Sequence, residues 1–264
     1  MGRPRRRIRL ASAGAGIFFD GKGNVWLGGA GDPKLDHQVL KFTKGGKFLQ
    51  QFGRPGKSAG SHDLDNFRGI TEGFYYARTN EMFLADGEYN RRVIVVDADT
   101  GQYKRHWGAY GNTPDDRAPN ERTFVGEGPP QWNNVHSILI SHDDIVYVSE
   151  HSGNRIHLFK PDGTFINEVW VDRHVATPTG TTLDLAFSPD QDQQFIFASG
   201  GDQRVRILRR DTFEVVGIIG RLGHYAGQFH HLHTLAVDSH GNLYTGDNTG
   251  KRVQKFVITG YVTH

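Results

Sequence analysis

The stretch SGNRIHLFKPDGTF, residues 152–165, reads as a polar link, a short strand, a tight turn and the start of another strand. The link is SGN, the strand begins near Ile156, and KPDG turns the chain back toward Phe165. Working outward, a strand precedes it in DIVYVSE and another follows in TFINEVW. The same order recurs along the chain. GNVWLGG with HQVLKFTKGGKFLQQFG, NEMFLADGEYNRRVIVVDADTGQYKRHWG, QFIFASGGDQRVRILRRDTFEVVGIIG and GNLYTGDNTGKRVQKF superpose on it, their second strands beginning near Val39, Val93, Val205 and Val253.

A further strand leads into each unit: AGIFFD, ITEGFYY, VHSILIS, LDLAFSP and HTLAVDS. Four short strands joined by turns, repeated every ~50 to 60 residues, are the signature of propeller blades. The strands are rich in Val, Ile, Phe, Leu and Tyr and carry no sustained helical period. A two-sheet sandwich explains strands but not the recurring order of motifs. The expected fold is therefore an all-β propeller of four-stranded blades with five repeats visible. It occupies residues 13–264 as one domain behind a basic segment, residues 1–12. The last repeat lacks a clear outer strand, which residues 4–12 are placed to supply by closing the ring; the alternative is an absent N-terminal blade. Two polar inserts, Arg54–Asn66 and Asn112–Asn134, fall between blades where they can fold over one face.

Composition narrows the function classes. The 264 residues carry a net charge of +2, so nothing global points to nucleic acid. Basic pairs at Arg91/Arg92, Arg209/Arg210 and Lys251/Arg252 are accompanied by acids and by no aromatic stacking motif, which disfavours that partner further. With 36% hydrophobic residues there is no stretch long and apolar enough to span a membrane. Arg3, Arg5, Arg6, Arg7 and Arg9 form a solvated basic tail without a signal-type apolar run. Cysteine is absent, so any metal must be held by nitrogen or oxygen, and the compartment is left open.

In a propeller the innermost strands line the central channel, so their first residues meet in space. Aligned, those strands begin with Ala15, Thr71, His136, Leu183 and His233, followed by Gly16, Glu72, Ser137, Asp184 and Thr234. His136 and His233 with Glu72 and Asp184 form a ligand set suited to zinc or a similar divalent ion. For calcium, Glu72, Asp184 and Asn134 with carbonyl oxygens are the better donors. The competing reading is that these polar residues hydrogen-bond one another and channel water. His230, His231 and His240 read as loop or turn residues, as do His37 and His142.

The motif order resembles that of NHL-repeat propellers, in which G-N-hydrophobic-Tyr/Trp-Val, N-x-R and G-x-F recur; SGNRIHLFKPDGTF and TGKRVQKF carry the likeness from about Gly14 onward. That family usually has six blades. The inner-strand histidines resemble those of the peptidyl-α-hydroxyglycine α-amidating lyases, where one histidine from each of three blades binds zinc. His136 and His233 match two of them, and Ala15 stands at the third. The lyase tyrosine of D-G-Y falls in ADGEYN, giving Glu88 with Tyr89 one step on. The lyase arginine falls in VSEHSGNRI, giving Glu150 and His151.

Those replacements gather acid–base groups at one mouth, a chemistry similar to that of propeller lactonases and paraoxonase-like hydrolases. Three functions follow as expectations. The first is a metal-dependent hydrolase acting on a small lactone or ester, with His136, His233, Glu72 and Asp184 around calcium or zinc and His151, Glu150, Glu88 or Tyr89 moving protons. The second is a divergent amidating-type lyase. The third is a non-enzymatic scaffold whose rim takes a peptide ligand.

Overall fold

The structure, a computed structural model, describes residues 16–32, 34–120 and 128–259. Five antiparallel sheets make up an all-β, five-bladed propeller. Blade 1 holds β1 (Ile17–Phe19), β2 (Val25–Gly28), β3 (Val39–Phe42) and β4 (Phe48–Phe52). Blade 2 holds β5 (Ile70–Tyr76), β6 (Glu81–Asp86), β7 (Arg92–Asp97) and β8 (Tyr103–Trp107). Blade 3 holds β9 (Val135–Ile140), β10 (Val146–Glu150), β11 (Arg155–Phe159) and β12 (Phe165–Trp170). Blade 4 holds β13 (Asp184–Phe187), β14 (Phe195–Gly200), β15 (Arg204–Arg209) and β16 (Val215–Ile219). Blade 5 has three strands among the described residues: β17 (Leu232–Val237), β18 (Leu243–Asp247) and β19 (Arg252–Phe256). The basic segment 1–12, with the outer strand expected from it, lies outside the described residues.

Each blade pairs its strands in chain order, as repeating up-and-down turns require. The turns are built by side chains that bond their own backbone, Asp20 and Asp238 being equivalent examples: each carboxylate accepts from an Asn side chain and backbone four residues on. Alternating apolar residues then fill the space between blades. Phe18, Trp26 and Val39 of blade 1 pack on Met82, Leu84 and Ile94 of blade 2, and Ala186, Phe197 and Val205 of blade 4 on Leu232 and Leu243 of blade 5. Inner strand β1 lies against β5, β5 against β9, β9 against β13, and β13 against β17. At the seam, β1 and β17 are not apposed in this way among the described residues.

Both inserts lie over one face and are tied to each other and to the blades. Ser61 of the first donates its backbone N–H to Asp116 of the second at 2.8 Å. Buried Arg92, paired with Asp86, donates to the carbonyls of Ser61, Asp63 and Asn66. Arg91 and Arg155 hold the second insert through the carbonyls of Ala118 and Pro129.

Candidate functional site

Three inner strands carry a bulge at the same place. Against β6 the register jumps between Ile70 and Glu72, against β10 between Val135 and Ser137, and against β18 between Leu232 and Thr234. The extra residues are Thr71, His136 and His233. A bulge re-aims the side chain of the residue it releases from the ladder. His136 and His233 come from blades 3 and 5, yet their rings lie 5.0 Å apart, edge to face. His151, at the end of β10, lies 5.6 Å from His136, and His231 lies 5.4 Å from His233. Four imidazoles thus form a continuous row.

Burial pushes the His136 imidazole well below its ordinary pKa, and His233 and His151 add to the shift; burial and His231 push His233 down as well. Both rings are therefore neutral near neutral pH, with lone pairs available as ligand or base. His136 Nδ1 is buried and has no hydrogen-bond partner.

Residues one step further along the inner strands do something else. Glu72 Oε2 accepts from the backbone N–H of Ile138 in the next blade at 2.7 Å. Ser137 Oγ accepts from Leu185 N–H at 3.2 Å, and Asp184 Oδ2 from Leu235 N–H at 2.7 Å. Each second-position oxygen thereby braces its blade to the following one. The Ser137 hydroxyl is within hydrogen-bond reach of both carboxyls. Burial and the neighbouring Asp184 carboxylate raise Glu72 well above the usual carboxylate range, and burial raises Asp184 to about 6.

The expected four-ligand set is thus split in two. His136 and His233 converge, whereas Glu72 and Asp184 are bonded to backbone N–H groups. Among the described residues no three His, Asp or Glu side chains stand in an arrangement that holds a metal. The donor chemistry does not fit calcium, whose oxygen ligands are engaged elsewhere. At His136 and His233 the donors are ring nitrogens, one of them buried and unpartnered.

The expected proton-moving residues are placed as follows. Glu150 is buried against the Arg155 guanidinium and also accepts from Asn133 N–H at 3.0 Å. Glu88 accepts from the Asn134 side chain at 3.1 Å. Tyr89 is 47% exposed, its ring 5.3 Å from that of His37. His151 is an end member of the imidazole row. His231, in the loop before β17 as expected, joins the row, and His37, expected in a solvated turn, is instead buried with Nε2 unpartnered. For His231 the available signal was its spacing, two residues before a bulge histidine. A hollow lined by Gln51, Arg54, Lys57 and Asp65 belongs to the first insert; it contains none of the imidazoles.

Behind the row, Arg155 forms a buried network with Glu150, Glu168, Tyr110 and, through Glu168, His157. Tyr110 sits at φ 59° within this network. Arg155 is 1% exposed and its N–H groups are shared among these partners and two carbonyls. It is therefore not presented at the mouth as a substrate-binding cation.

The fold is that of a β-propeller, and its repeat order and relatives support an NHL type. The chain is similar to NHL repeat-containing protein 3 of Homo sapiens, 26% identical over 246 residues covering 90% of this chain and 64% of that protein. It is likewise similar to the Mus musculus protein of that name, 24% identical over 251 residues covering 92% and 66%. The chain spans just under two thirds of the length of these relatives. No protein-family model matches it. Among solved structures it resembles a streptogramin B lyase, with a TM-score of 0.58 and 11% identity over 95% of this chain and 71% of that one. That likeness concerns the fold alone.

Proposed function

We propose that this propeller is an enzyme whose histidine row binds a divalent ion of zinc type and hydrolyses a small lactone or ester. The observation that carries the reading is the 5.0 Å approach of His136 and His233 from equivalent bulges on separate blades. Two like residues released from the ladder at one place, both neutral by burial, suit shared ligation better than structural support. Such an ion, when bound, polarises a carbonyl and lowers the pKa of water. His136 and His233 would hold it. His151 is the base nearest them, and Tyr89 offers an exposed phenol at the rim. Glu72 and Asp184 keep the strands bearing the histidines in register rather than contributing donors.

The test is elemental analysis of the purified chain, then turnover of lactones and aryl esters before and after chelation. Stoichiometric zinc with chelator-sensitive turnover, both lost in His136→Ala and His233→Ala, supports the reading. Full metal content in both variants sinks it. Turnover of an α-hydroxyglycine in place of esters would favour the lyase reading instead, although the buried position of Arg155 argues against it. A binding scaffold is favoured by one observation, the engagement of Glu150 and Glu88 in other contacts. It predicts ligand binding at the rim with no turnover of any of these substrates.

A further inference from the structure

The outer strands of blades 1 to 4 are bulged at one place. Against the third strand of its blade each has one extra residue: Leu49 in β4, Lys104 in β8, Ile166 in β12 and Val216 in β16. Two residues further on, three of the blades carry a polar side chain with a partner. Gln51 donates to the Gly53 carbonyl, His106 is bonded to the Tyr103 hydroxyl, and Glu168 accepts from Arg155. Blade 4 has Ile218 there, 52% exposed, and Val216 before it is 48% exposed. Among the described residues no strand lies beside the outer edge of β16. A bulge and a polar or charged side chain are two devices that keep such an edge from pairing with another chain. β16 has the first and lacks the second, since its sequence VVGII is wholly apolar. Glu214 and Arg221 flank it, both exposed and without an ion-pair partner among the described residues.

We infer that β16 is a self-complementary edge at which a second copy of this chain docks, the two strands running antiparallel about a two-fold axis at Gly217. In that register Val216 of each copy lies beside Ile218 of the other, an apolar cross-strand pair made twice. Glu214 of each copy comes up against Gly220 and Arg221 of the other, so both ends of the ribbon join an acid to a base. The charge pattern is what selects the occupant. A strand that fits this edge is apolar at its centre, basic at the end meeting Glu214 and acidic at the end meeting Arg221; β16 reversed is such a strand. Main-chain hydrogen bonds hold the pair, as in other strand additions. Two short strands bury less than the ~1,200 Å² at which standard interfaces begin, so the dimer is weak and reversible.

The test is sedimentation equilibrium of the 264-residue chain from low micromolar to near-millimolar concentration. The expected result is a reversible monomer–dimer equilibrium. Ile218→Lys and Arg221→Glu should each raise the dissociation constant by at least about tenfold, the second by setting two acids against each other at both ends. Glu214→Arg combined with Arg221→Glu exchanges the two charges and should bring the parent affinity back. All three positions are exposed, and circular dichroism confirms that each variant folds as the parent does. Monomer at every concentration overturns the inference. A dimer that Ile218→Lys leaves intact forms at another surface and overturns it as well. Failure of the charge exchange to restore the dimer overturns the antiparallel register. Growth past the dimer also counts against it, because the pairing consumes this edge in both copies.

Discussion

Glu72 in blade 2 accepts a hydrogen bond from the backbone N–H of Ile138 in blade 3 at 2.7 Å, and Asp184 in blade 4 repeats the contact to Leu235 in blade 5 at 2.7 Å. The two carboxyls meet at Ser137, between them. A channel feature that reads as a ligand set is thus also the joinery of the ring.

The stability that the Asp184 and Glu72 carboxyls contribute should fall as pH rises through the acid range. Asp184 has a folded pKa of about 6 against an ordinary value of 3.8. Between those values the folded chain keeps a proton that the unfolded chain has lost, so its contribution is full below the lower value and is lost as pH passes the upper one. Glu72 acts in the same direction. The imidazoles of His136, His233 and His157, held below their ordinary pKa by burial, act in the opposite direction. The quantity to measure from about pH 4 to pH 7 is therefore the urea midpoint of the parent chain minus that of Asp184→Asn, which should shrink as pH rises. A difference that grows with pH contradicts the assignment.

Arg155→Met should cost about 3 to 5 kcal/mol, because it leaves buried Glu150 and half-buried Glu168 without their cation. Chemical denaturation measures it. A loss below about 1 kcal/mol would show that the network is not closed as described.

Gly87→Ala should destabilise by at least about 3 kcal/mol or prevent folding. A Cβ there would lie 1.8 Å from the Val135 carbonyl oxygen, and the obstacle is backbone, which has little room to yield. Gly23→Ala is a contrasting control, since nothing lies within 4 Å of its Cβ, though its φ of 73° carries a backbone cost of its own. Circular dichroism melts of the two variants separate steric from conformational cost.

His151→Ala should keep the bound metal and lower turnover by about 10² to 10⁴, the usual contribution of a positioned acid or base. Loss of metal together with turnover would make His151 a ligand rather than a proton carrier.

Much of the fold was legible because each blade repeats its turn chemistry at the same offset. The strand starts near Val39, Val93, Ile156, Val205 and Val253 all fall in or beside the observed third strands. The equivalence of His136 with His233 was legible for the same reason. The role of Glu72 and Asp184 was not, because hydrogen bonding across blades depends on how neighbouring sheets are set against each other, which single-strand patterns do not encode. The bulges were also hidden: they become visible only when a strand is paired with its partner, and they decide that His136 faces the histidine row while Ser137 turns to the next blade. The likeness to the lyase arginine shows the same limit, since Glu150 lies in a salt bridge with an arginine five residues on.

The braces also determine how the molecule comes apart. Each runs from one blade to the next, so the blades are coupled in series, as repeats are in a solenoid. Blades 3 and 4 each have braced neighbours on both sides, whereas blades 1 and 5 each border the seam. Amide exchange should therefore be slowest in the inner strands of blades 3 and 4, β9, β10, β13 and β14, and quicken toward both ends. The histidine row reaches from that slow centre to a fraying edge, with His136 on the first and His233 on the second. Whatever steadies blade 5 then sharpens the geometry of the site, and a ligand gripping both rings acts as a clasp on the open end of the ring.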